Sequence, residues 1–464
     1  MQYSIVNYNK LDDYCFRIDA DYYMPIFLNY EKILLSNNCR KFDQFINVIT
    51  DGKHGGVTFT EKGVLFIRNQ NNKNGFLDLS NIKYISENES SETKRAELEY
   101  KDILLTTIGT IGMWSVIPKN FPRATINQNL VRIKTENINS YYLALFLGSS
   151  FGQNCITRLS AGNVQQIINY PNLKNISIPI FSDKFQLECQ KIYLKSNEYR
   201  SNSNNLYKKS QSLLLSELGL NKWEPKHKLS YIKNFSDVEE AGRFDAEYFQ
   251  PKYDEIVNAI KSYKGGWDVL SNQFKQNKKQ MIIENDKNYE YIEIGSINVS
   301  TGELEPLFLT GVELPANAKI KLNKNDLIIS KVRTYRGAVS IINKDGYIGS
   351  GAFTVLHEKD KTNIEILFIL LKSKPFLEYS LKHNTGTSYP TLIDNDILNY
   401  PIPIFNKNIQ NEIKNNVIEM NNSLFKSKSL LEIAKKSVEI AIEQDELTAK
   451  KWMNEEVEKL KVEL

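Results

Sequence analysis

The sequence predicts an α+β protein built as a tandem duplication. Two homologous mixed α/β domains are separated by two long helices packed as an antiparallel coiled coil, and the halves are related by a pseudo-twofold. A nine-residue motif at 17–25 recurs at 243–251, and five of its nine positions are identical. Further landmarks recur at an offset of 224 residues, and two stretches carry apolar heptads without proline or glycine. A repeat of this length indicates two homologous halves and not a short-period solenoid.

Length and composition limit the class of protein. At 464 residues the chain exceeds the usual size of one domain. A hydrophobic content of 41% and a mean hydropathy of −0.41 favour a globular protein with no membrane association. The longest apolar runs are shorter than the roughly 20 residues that a spanning helix needs. The net charge of +4 permits binding to nucleic acid but does not require it.

Cysteine usage and the N-terminal residues indicate a reducing compartment. No two of Cys15, Cys39, Cys155 and Cys189 form a CxxC pair, so we expect reduced thiols and neither a disulfide framework nor a zinc site. The first residues lack a charged region followed by an apolar core, so no secretory signal is expected. Both observations favour the cytoplasm.

The chain divides into six predicted segments. In order they are an N-terminal domain at 1–182 that includes a motif helix at 11–37, a long helix at 183–217, a linker with the repeated motif helix at 218–263, a second domain at 264–405, a second long helix at 406–446, and a charged helical tail at 447–464.

Local signals support the elements within these segments. Pro25 and Pro251 are the last residues of the two motif copies and predict helix starts, because proline suits the first helical position. Apolar runs at 64–68 and 102–108, flanked by turn residues, predict short strands. Residues 139–147 and 363–371 predict equivalent short helices.

The two long helices are predicted from heptads. In the first, the positions seven apart are Phe185, Ile192, Tyr199, Leu206 and Leu213, accompanied by Cys189, Ser196, Ser203 and Ser210. In the second, they are Ile413, Met420, Ser427, Ala434 and Ala441, accompanied by Val417, Leu424, Leu431 and Val438. For the tail, which carries Trp452 and Met453, a solvated helix end is expected. The alternative is a docking surface for another subunit.

The sequence lacks the common catalytic motifs. The sequence contains no Walker-type loop, GxGxxG, HExxH or GxSxG, and its four histidines lack metal-ligand spacing. An acidic-x-lysine nuclease pattern is too short to exclude, but 324–331 is interpreted as a strand edge. Asn169-Tyr170-Pro171 resembles an amino-methyltransferase motif only superficially. Catalysis by this chain is therefore not expected.

Basic and small polar stretches favour recognition of DNA instead. Residues 331–337 carry lysine and arginine, which can bind phosphates or guanine, whereas the equivalent residues 107–112 are uncharged. Small-residue loops follow at 160–166 and 384–390, although each stretch could equally be an ordinary surface turn. The candidate DNA contacts are Lys331, Arg333, Arg336, Thr387, Ser388 and Tyr389 in the second half, and Thr107, Thr110, Asn127, Gln128, Asn163 and Gln165 in the first. Because the charged residues diverge, we expect two different half-sites.

The whole pattern resembles the specificity subunit of a type I restriction–modification system. The resemblance is carried by residues 63–68, 101–105, 243–251 and 402–405 and by the two heptad helices, and it spans nearly all of the chain. The family's Pro-Leu-Pro with a following Glu-Gln is only approximated here, at Pro179 and Gln186 and at Pro403 and Gln410.

The resemblance implies two target recognition domains that read a bipartite, asymmetric sequence in double-stranded DNA. It also implies two modification subunits that methylate adenine with S-adenosylmethionine, and restriction subunits that use ATP and Mg. The chain itself would need no cofactor and perform no chemistry. Three alternatives stay open: a self-contained modification–restriction enzyme, a two-domain coiled-coil scaffold that does not bind DNA, and a relic subunit that assembles without reading DNA.

Overall fold

The computed structural model describes residues 4–6, 11, 17–162, 165–359, 362–386 and 389–464. The chain forms two compact units. Unit 1 comprises Met1–Arg200 with Leu424–Leu464, and unit 2 comprises Ser201–Ser423. The unit boundary falls inside the two long helices, so each unit contains part of both.

The helices span most of the predicted positions. They are α1 (Pro25–Leu35), α2 (Glu87–Ser91), α3 (Ser140–Gly148), α4 (Ser150–Leu159), α5 (Tyr170–Lys174), α6 (Asp183–Glu217), α7 (Phe235–Ala241), α8 (Pro251–Lys261), α9 (Leu270–Gln273), α10 (Ile364–Leu371), α11 (Lys374–Tyr379), α12 (Asp394–Leu398), α13 (Lys407–Glu443) and α14 (Glu446–Lys459).

The strands are short. They are β1 (Cys39–Lys41), β2 (Ile46–Asp51), β3 (Val64–Ile67), β4 (Asn72–Lys73), β5 (Phe76–Leu77), β6 (Lys83–Ile85), β7 (Ile103–Thr106), β8 (Trp114–Val116), β9 (Ala124–Ile126), β10 (Leu130–Thr135), β11 (Ser177–Pro179), β12 (Trp267–Val269), β13 (Phe274–Gln276), β14 (Asn288–Ile292), β15 (Leu307–Thr310), β16 (Ala318–Lys321), β17 (Leu327–Ser330), β18 (Val339–Ile341), β19 (Ile348–Ser350), β20 (Phe353–Glu358) and β21 (Pro401–Pro403).

The sheets repeat from one unit to the other. In unit 1 an antiparallel sheet has the order β2-β10-β7-β8, and in unit 2 the order β13-β20-β17-β18 is its counterpart. A second sheet in each unit contains a parallel pair, β3 with β9 and β14 with β19. The pairs β1–β11 and β12–β21 join the two ends of each mixed domain. The predicted duplication in an α+β fold is therefore confirmed.

Local sequence explains where the central helices form. Pro25 and Pro251 each occupy the first turn of their helix. The side chain of Asn139 accepts hydrogen bonds from the first backbone amides of α3, which is a preferred N-cap arrangement. Most of α3 and of α10 is buried, because each helix carries apolar side chains on all of its faces. The buried residues of α3 belong to the largest apolar cluster of unit 1, and those of α10 belong to the largest apolar cluster of unit 2.

The two long helices run antiparallel within each unit. In unit 1 the Ser196 hydroxyl of α6 donates to the Ser427 carbonyl of α13 at 2.8 Å. In the same unit the Lys426 ammonium lies 5.3 Å from the centre of the Tyr199 ring. In unit 2 the Asn202 amide donates to the Ser423 hydroxyl at 2.9 Å, and Lys209 pairs with Glu412 at 3.0 Å. Within each unit, later residues of α6 thus meet earlier residues of α13. The small residues of the first heptad, Ser196 included, are buried in this seam, so the predicted packing is confirmed.

The C-terminal tail differs from the expectation of a solvated helix end. One side of α14 packs into the core of unit 1, where Ala449, Met453 and Val457 are buried. Lys450 also pairs with Glu188 of α6 at 2.9 Å. The sequence expectation was wrong because the apolar partners of this face lie far away in the chain. Within the residues described above, no helix combines the length and the apolar character that crossing a bilayer requires.

Candidate nucleic-acid interface

In unit 2, the end of β17 lies directly beside the predicted small-residue loop. Val332 and Thr385 each form a β-bridge with Thr391. The Arg333 amide donates to the Pro390 carbonyl at 2.8 Å, and the Leu392 amide donates to the Lys331 carbonyl at 2.9 Å. We call residues 331–337 together with 384–386 and 389–392 the second loop pair. The structure thus joins two stretches that the sequence presented as separate candidates.

Unit 1 has the same backbone arrangement at the end of β7. Ile108 and Ala161 each form a bridge with Ile167. The Gly109 amide donates to the Gln166 carbonyl at 3.0 Å. Residues 107–112 together with 160–162 and 165–168 are called the first loop pair. Two equivalent backbone frames therefore carry different side chains.

Arg333 is the most distinctive residue of the second loop pair. Its φ of 50° lies in the left-handed region, which a residue with a side chain adopts only at some energetic cost. Its guanidinium lies 4.4 Å from the centre of the Tyr389 ring, within range of a cation–π contact. Tyr389 is 67% exposed. The structure thus brings together two of the predicted contacts in a cation–aromatic pair that faces solvent.

Lys331 is already engaged within the protein. Its ammonium lies 3.3 Å from a carboxylate oxygen of Asp394, which also accepts a hydrogen bond from the Thr354 hydroxyl at 2.7 Å. Burial opposes ionisation of Asp394, but hydrogen bonds from Thr354 and Gln276 and the charge of Lys331 hold its pKa below the ordinary value. Lys331 therefore supports the loop, and Arg333 and Arg336 are the stronger contact candidates.

Arg336 is exposed on a 3-10 turn, Thr334–Arg336, that ends at Gly337. Beneath it, the Lys372 ammonium donates to the Gly337 carbonyl at 3.1 Å and to the Val299 carbonyl at 2.7 Å. Burial lowers the pKa of Lys372 to about 7. Lys372 was not predictable from the sequence, since a single lysine after an apolar helix gives no signal.

The candidates of the first loop pair differ in exposure. Thr107 is only 4% exposed, so we assign it to support of the loop and correct the expectation of a DNA contact. Thr110 and Gln165 are exposed. A Cβ placed on Gly109 would lie 3.8 Å from the Gln165 amide nitrogen, which places that amide beside the glycine. Unit 1 thus presents neutral hydrogen-bonding groups where unit 2 presents arginine.

Asn127 and Gln128 lie on the turn between β9 and β10. The Asn127 amide donates to the Ile67 carbonyl at 3.1 Å. Its buried side-chain oxygen has no hydrogen-bond partner among the described residues. The next residue in the turn, Asn129, accepts from the Thr107 amide at 3.0 Å, so the turn borders the first loop pair. Asn163, Thr387 and Ser388 lie outside the described residues and stay predictions.

A lysine-rich recess lies at the start of β17, at the end of the strand opposite the second loop pair. It is lined by Lys275, Lys278, Lys279 and His357, and also by Asp326, whose carboxylate binds His357. Gln276, on the same strand, donates a hydrogen bond to Asp394, the partner of Lys331. Lysines in such a recess suit phosphate oxygens. These lysines were not predictable from the sequence, because lysine is common on any exposed strand.

The acidic residues near β7 and β17 have a structural role. Asp102 and Asp326 are fully buried, and each accepts a hydrogen bond from the backbone amide three residues earlier. The preceding residues, Lys101 and Asn325, have φ of 70° and 67°. Each aspartate therefore closes a tight turn, as the strand-edge interpretation expects. Across the part of the chain that the structure describes, no group of three His, Cys, Asp or Glu side chains could hold a metal ion.

Comparison with known proteins identifies the family. A family model described as the type I restriction modification DNA specificity domain matches residues 49–192 and 258–417, more than half of the chain. The chain belongs to this family, and the predicted resemblance is confirmed.

Individual relatives are distant. The chain is 27% identical over 132 residues to the type I restriction enzyme EcoBI specificity subunit of Escherichia coli, an alignment that covers 27% of each protein. A type I restriction–modification S subunit from M. genitalium superposes with a TM-score of 0.42 at 14% identity, covering 88% of this chain and 95% of that one. The HsdS subunit from Thermoanaerobacter tengcongensis gives a TM-score of 0.30 at 12% identity, covering 88% and 97%.

Proposed function

We propose that this chain is a non-catalytic specificity subunit that reads a bipartite, asymmetric sequence in double-stranded DNA, with one half-site for each unit. One observation carries the proposal. The two loop pairs share a backbone frame, but the second presents Arg333 stacked on Tyr389, and the first presents Thr110 and the Gln165 amide. Equal frames with unequal hydrogen-bonding groups suit two different half-sites.

The chemistry of each loop pair suggests what it contacts. Arginine can donate two hydrogen bonds to guanine in the major groove, and glutamine can form two with adenine. In unit 2, Arg336 and the lysine-rich recess supply positive charge for phosphates, which carry much of the affinity but little sequence information. The half-site of unit 2 is therefore expected to include guanine contacted by Arg333.

We also propose that the chain recruits enzymatic partners, as is typical of its family. The partners are two modification subunits that methylate adenine with S-adenosylmethionine, and restriction subunits that use ATP and Mg, all acting in the cytoplasm. Ile18 and Phe244 occupy the same position in the two motif copies and are 83% and 82% exposed. Repeated exposed apolar residues suit two copies of one partner. Replacing both with serine should reduce co-purification of the modification subunit, and unchanged recovery would exclude this surface.

Selection of duplexes from a random DNA pool tests the reading role. The chain, assembled with its modification subunits, is expected to enrich one motif of two unlike half-sites separated by unread bases. Arg333→Ala should relax one position in one half-site only. Weaker binding without any change of motif would show that Arg333 contacts only phosphate. Enrichment of no motif by the wild-type complex would contradict the proposed function.

A further inference from the structure

The repeated motif forms the same side-chain arrangement in both units. Arg17 binds both carboxylate oxygens of Asp19, at 2.7 and 2.8 Å. The carboxylate of Asp19 in turn accepts a hydrogen bond from the Tyr22 amide at 3.1 Å. The Arg17 guanidinium lies 5.0 Å from the centre of the Tyr22 ring. Charge, hydrogen bonding and stacking together fix the orientation of the guanidinium.

Unit 2 reproduces this arrangement. Arg243 binds Asp245 at 2.7 Å, and Asp245 accepts from the Tyr248 amide at 3.0 Å. The Arg243 guanidinium lies 4.8 Å from the centre of the Tyr248 ring. Burial opposes ionisation of Asp245, but the hydrogen bonds from Arg243 and the Tyr248 amide lower its pKa. We call each arginine with its aspartate and tyrosine an arginine clamp.

Each clamp also contacts the base of the neighbouring loop. Arg17 donates from a terminal nitrogen to the Ser160 carbonyl at 2.6 Å. Arg243 donates from a terminal nitrogen to the Asn384 carbonyl at 3.3 Å. Ser160 and Asn384 are separated by 224 residues, the offset of the duplication. Both carbonyls stand one residue before the bridge that closes the loop.

These hydrogen bonds end on loop carbonyls, so their main effect is to position the loop and not to stabilise the whole unit. Ion pairs at the surface contribute little to stability, and the Arg17–Asp19 and Arg243–Asp245 pairs are partly exposed. A charged donor aimed at a loop carbonyl limits where that loop can begin. The planar guanidinium can serve the carboxylate and the carbonyl at once, whereas a lysine ammonium lacks this fork.

We infer that Arg17 and Arg243 are positioning residues for DNA recognition, each holding the base of the reading loop in its own unit. This inference rests on the proposed function, because it assigns the loops their reading role. Neither arginine contacts DNA in this account. Each acts through the loop that follows Ser160 or Asn384.

Loop order can be measured without DNA in the full-length chain. The amides of Thr385 and Thr391 donate to each other's carbonyls, as do those of Ala161 and Ile167 in unit 1. Arg243→Ala should speed hydrogen exchange of the Thr385 and Thr391 amides about 10-fold or more, since a hydrogen bond from a charged group is lost. The amides of unit 1 should be unchanged. Arg17→Ala is the matched control, with the opposite pattern.

The selected DNA motif supplies the second readout. Arg243→Ala should relax several positions of one half-site, and Arg17→Ala should relax the other. Arg243→Lys should fall between wild type and alanine, and it replaces alanine if that variant does not fold. Unchanged loop exchange, or equal relaxation of both half-sites, would overturn the inference. If the wild-type complex selects no motif, the proposed function fails, whereas the exchange measurement still tests the clamp.

Discussion

The two units keep one backbone frame and change the groups that it carries. Each has a buried aspartate that closes the turn before β7 or β17, Asp102 in unit 1 and Asp326 in unit 2. Each also has a bridged loop pair at the other end of that strand. At equivalent positions of the loop pair, unit 1 has Gly109 with a φ of 86°, and unit 2 has Arg333 with a φ of 50°. This position has a left-handed backbone conformation in both units, and in unit 2 an arginine adopts it.

The partners of the buried aspartates differ as much as the loops do. Asp102 binds Arg132, whose side chain is 6% exposed, at 2.6 Å. Asp326 binds His357, whose side chain is 53% exposed, at 2.9 Å, and also accepts from the Asn277 amide group at 2.9 Å. The turn is therefore retained while its counter-group changes. Both units keep the aspartate that closes the turn, whereas the exposed side chains of the two loop pairs differ.

The largest expected difference between the units is the loss of stability when the partner of the buried aspartate is removed. Arg132→Ala leaves Asp102 buried without its ion partner and is expected to cost about 3–5 kcal/mol. His357→Ala removes an exposed partner while the Asn277 hydrogen bond remains, and should cost about 1 kcal/mol. Hydrogen exchange of β7 and β10, compared with β17 and β20, measures each loss in its own unit. Equal losses would show that the two turns are stabilised alike.

Two substitutions at Arg333 should separate stability from DNA binding. Arg333→Gly matches the residue of unit 1 and suits the left-handed backbone, so it should be about 1 kcal/mol more stable than Arg333→Ala. Both variants should lose about 1–3 kcal/mol of discrimination in the half-site of unit 2. Thermal unfolding and competition binding measure the two effects. A glycine variant that keeps full discrimination would exclude Arg333 as a base contact.

Salt dependence should distinguish the charged loop pair from the neutral one. Arg336→Ala is expected to reduce the slope of log affinity against log salt concentration by about 1, because one phosphate contact is lost. Thr110→Ala, at the exposed position of the first loop pair, should leave the slope unchanged. Titrations of the assembled complex at several salt concentrations provide the test, and a matching change in both variants would refute the assignment.

The last prediction concerns the pH dependence of stability that Lys372 causes. Its pKa of about 7 lies below the ordinary 10.5, so the unfolded chain binds the additional proton between these values. This group therefore makes the free energy of unfolding rise from pH 7 to pH 10.5. Lys372→Met should remove that rise in unit 2, as measured by hydrogen exchange of β17 and β18 at pH 7 and 9. In unit 1 the equivalent residue is Gly148, and the Trp114 ring fills the place that a side chain there would take. Hydrogen exchange of β7 and β8 should therefore show no such change between pH 7 and 9. A rise that persists in the variant would assign it to another group.

The repeated frame was predictable from the sequence, but the contacts between its parts were not. The offset of 224 residues and the heptads indicated two mixed domains and antiparallel helices, since both a repeat and a heptad are visible in the order of residues alone. The pairing of Lys331 with Asp394, the burial of Thr107 and the packing of Met453 depend on segments distant in the chain. No spacing rule reports such contacts. The arginine clamp was visible as a repeated motif, but its loop target required the structure.

The most direct test of the central claim is a map of modified bases in the source genome, with the gene intact and deleted. We predict adenine methylation at one split, asymmetric motif in the intact strain and its loss in the deleted strain. Restoring the gene with Arg333→Ala should return methylation at a motif relaxed in one half-site. An identical map in the intact and deleted strains would contradict the claim that this chain directs methylation.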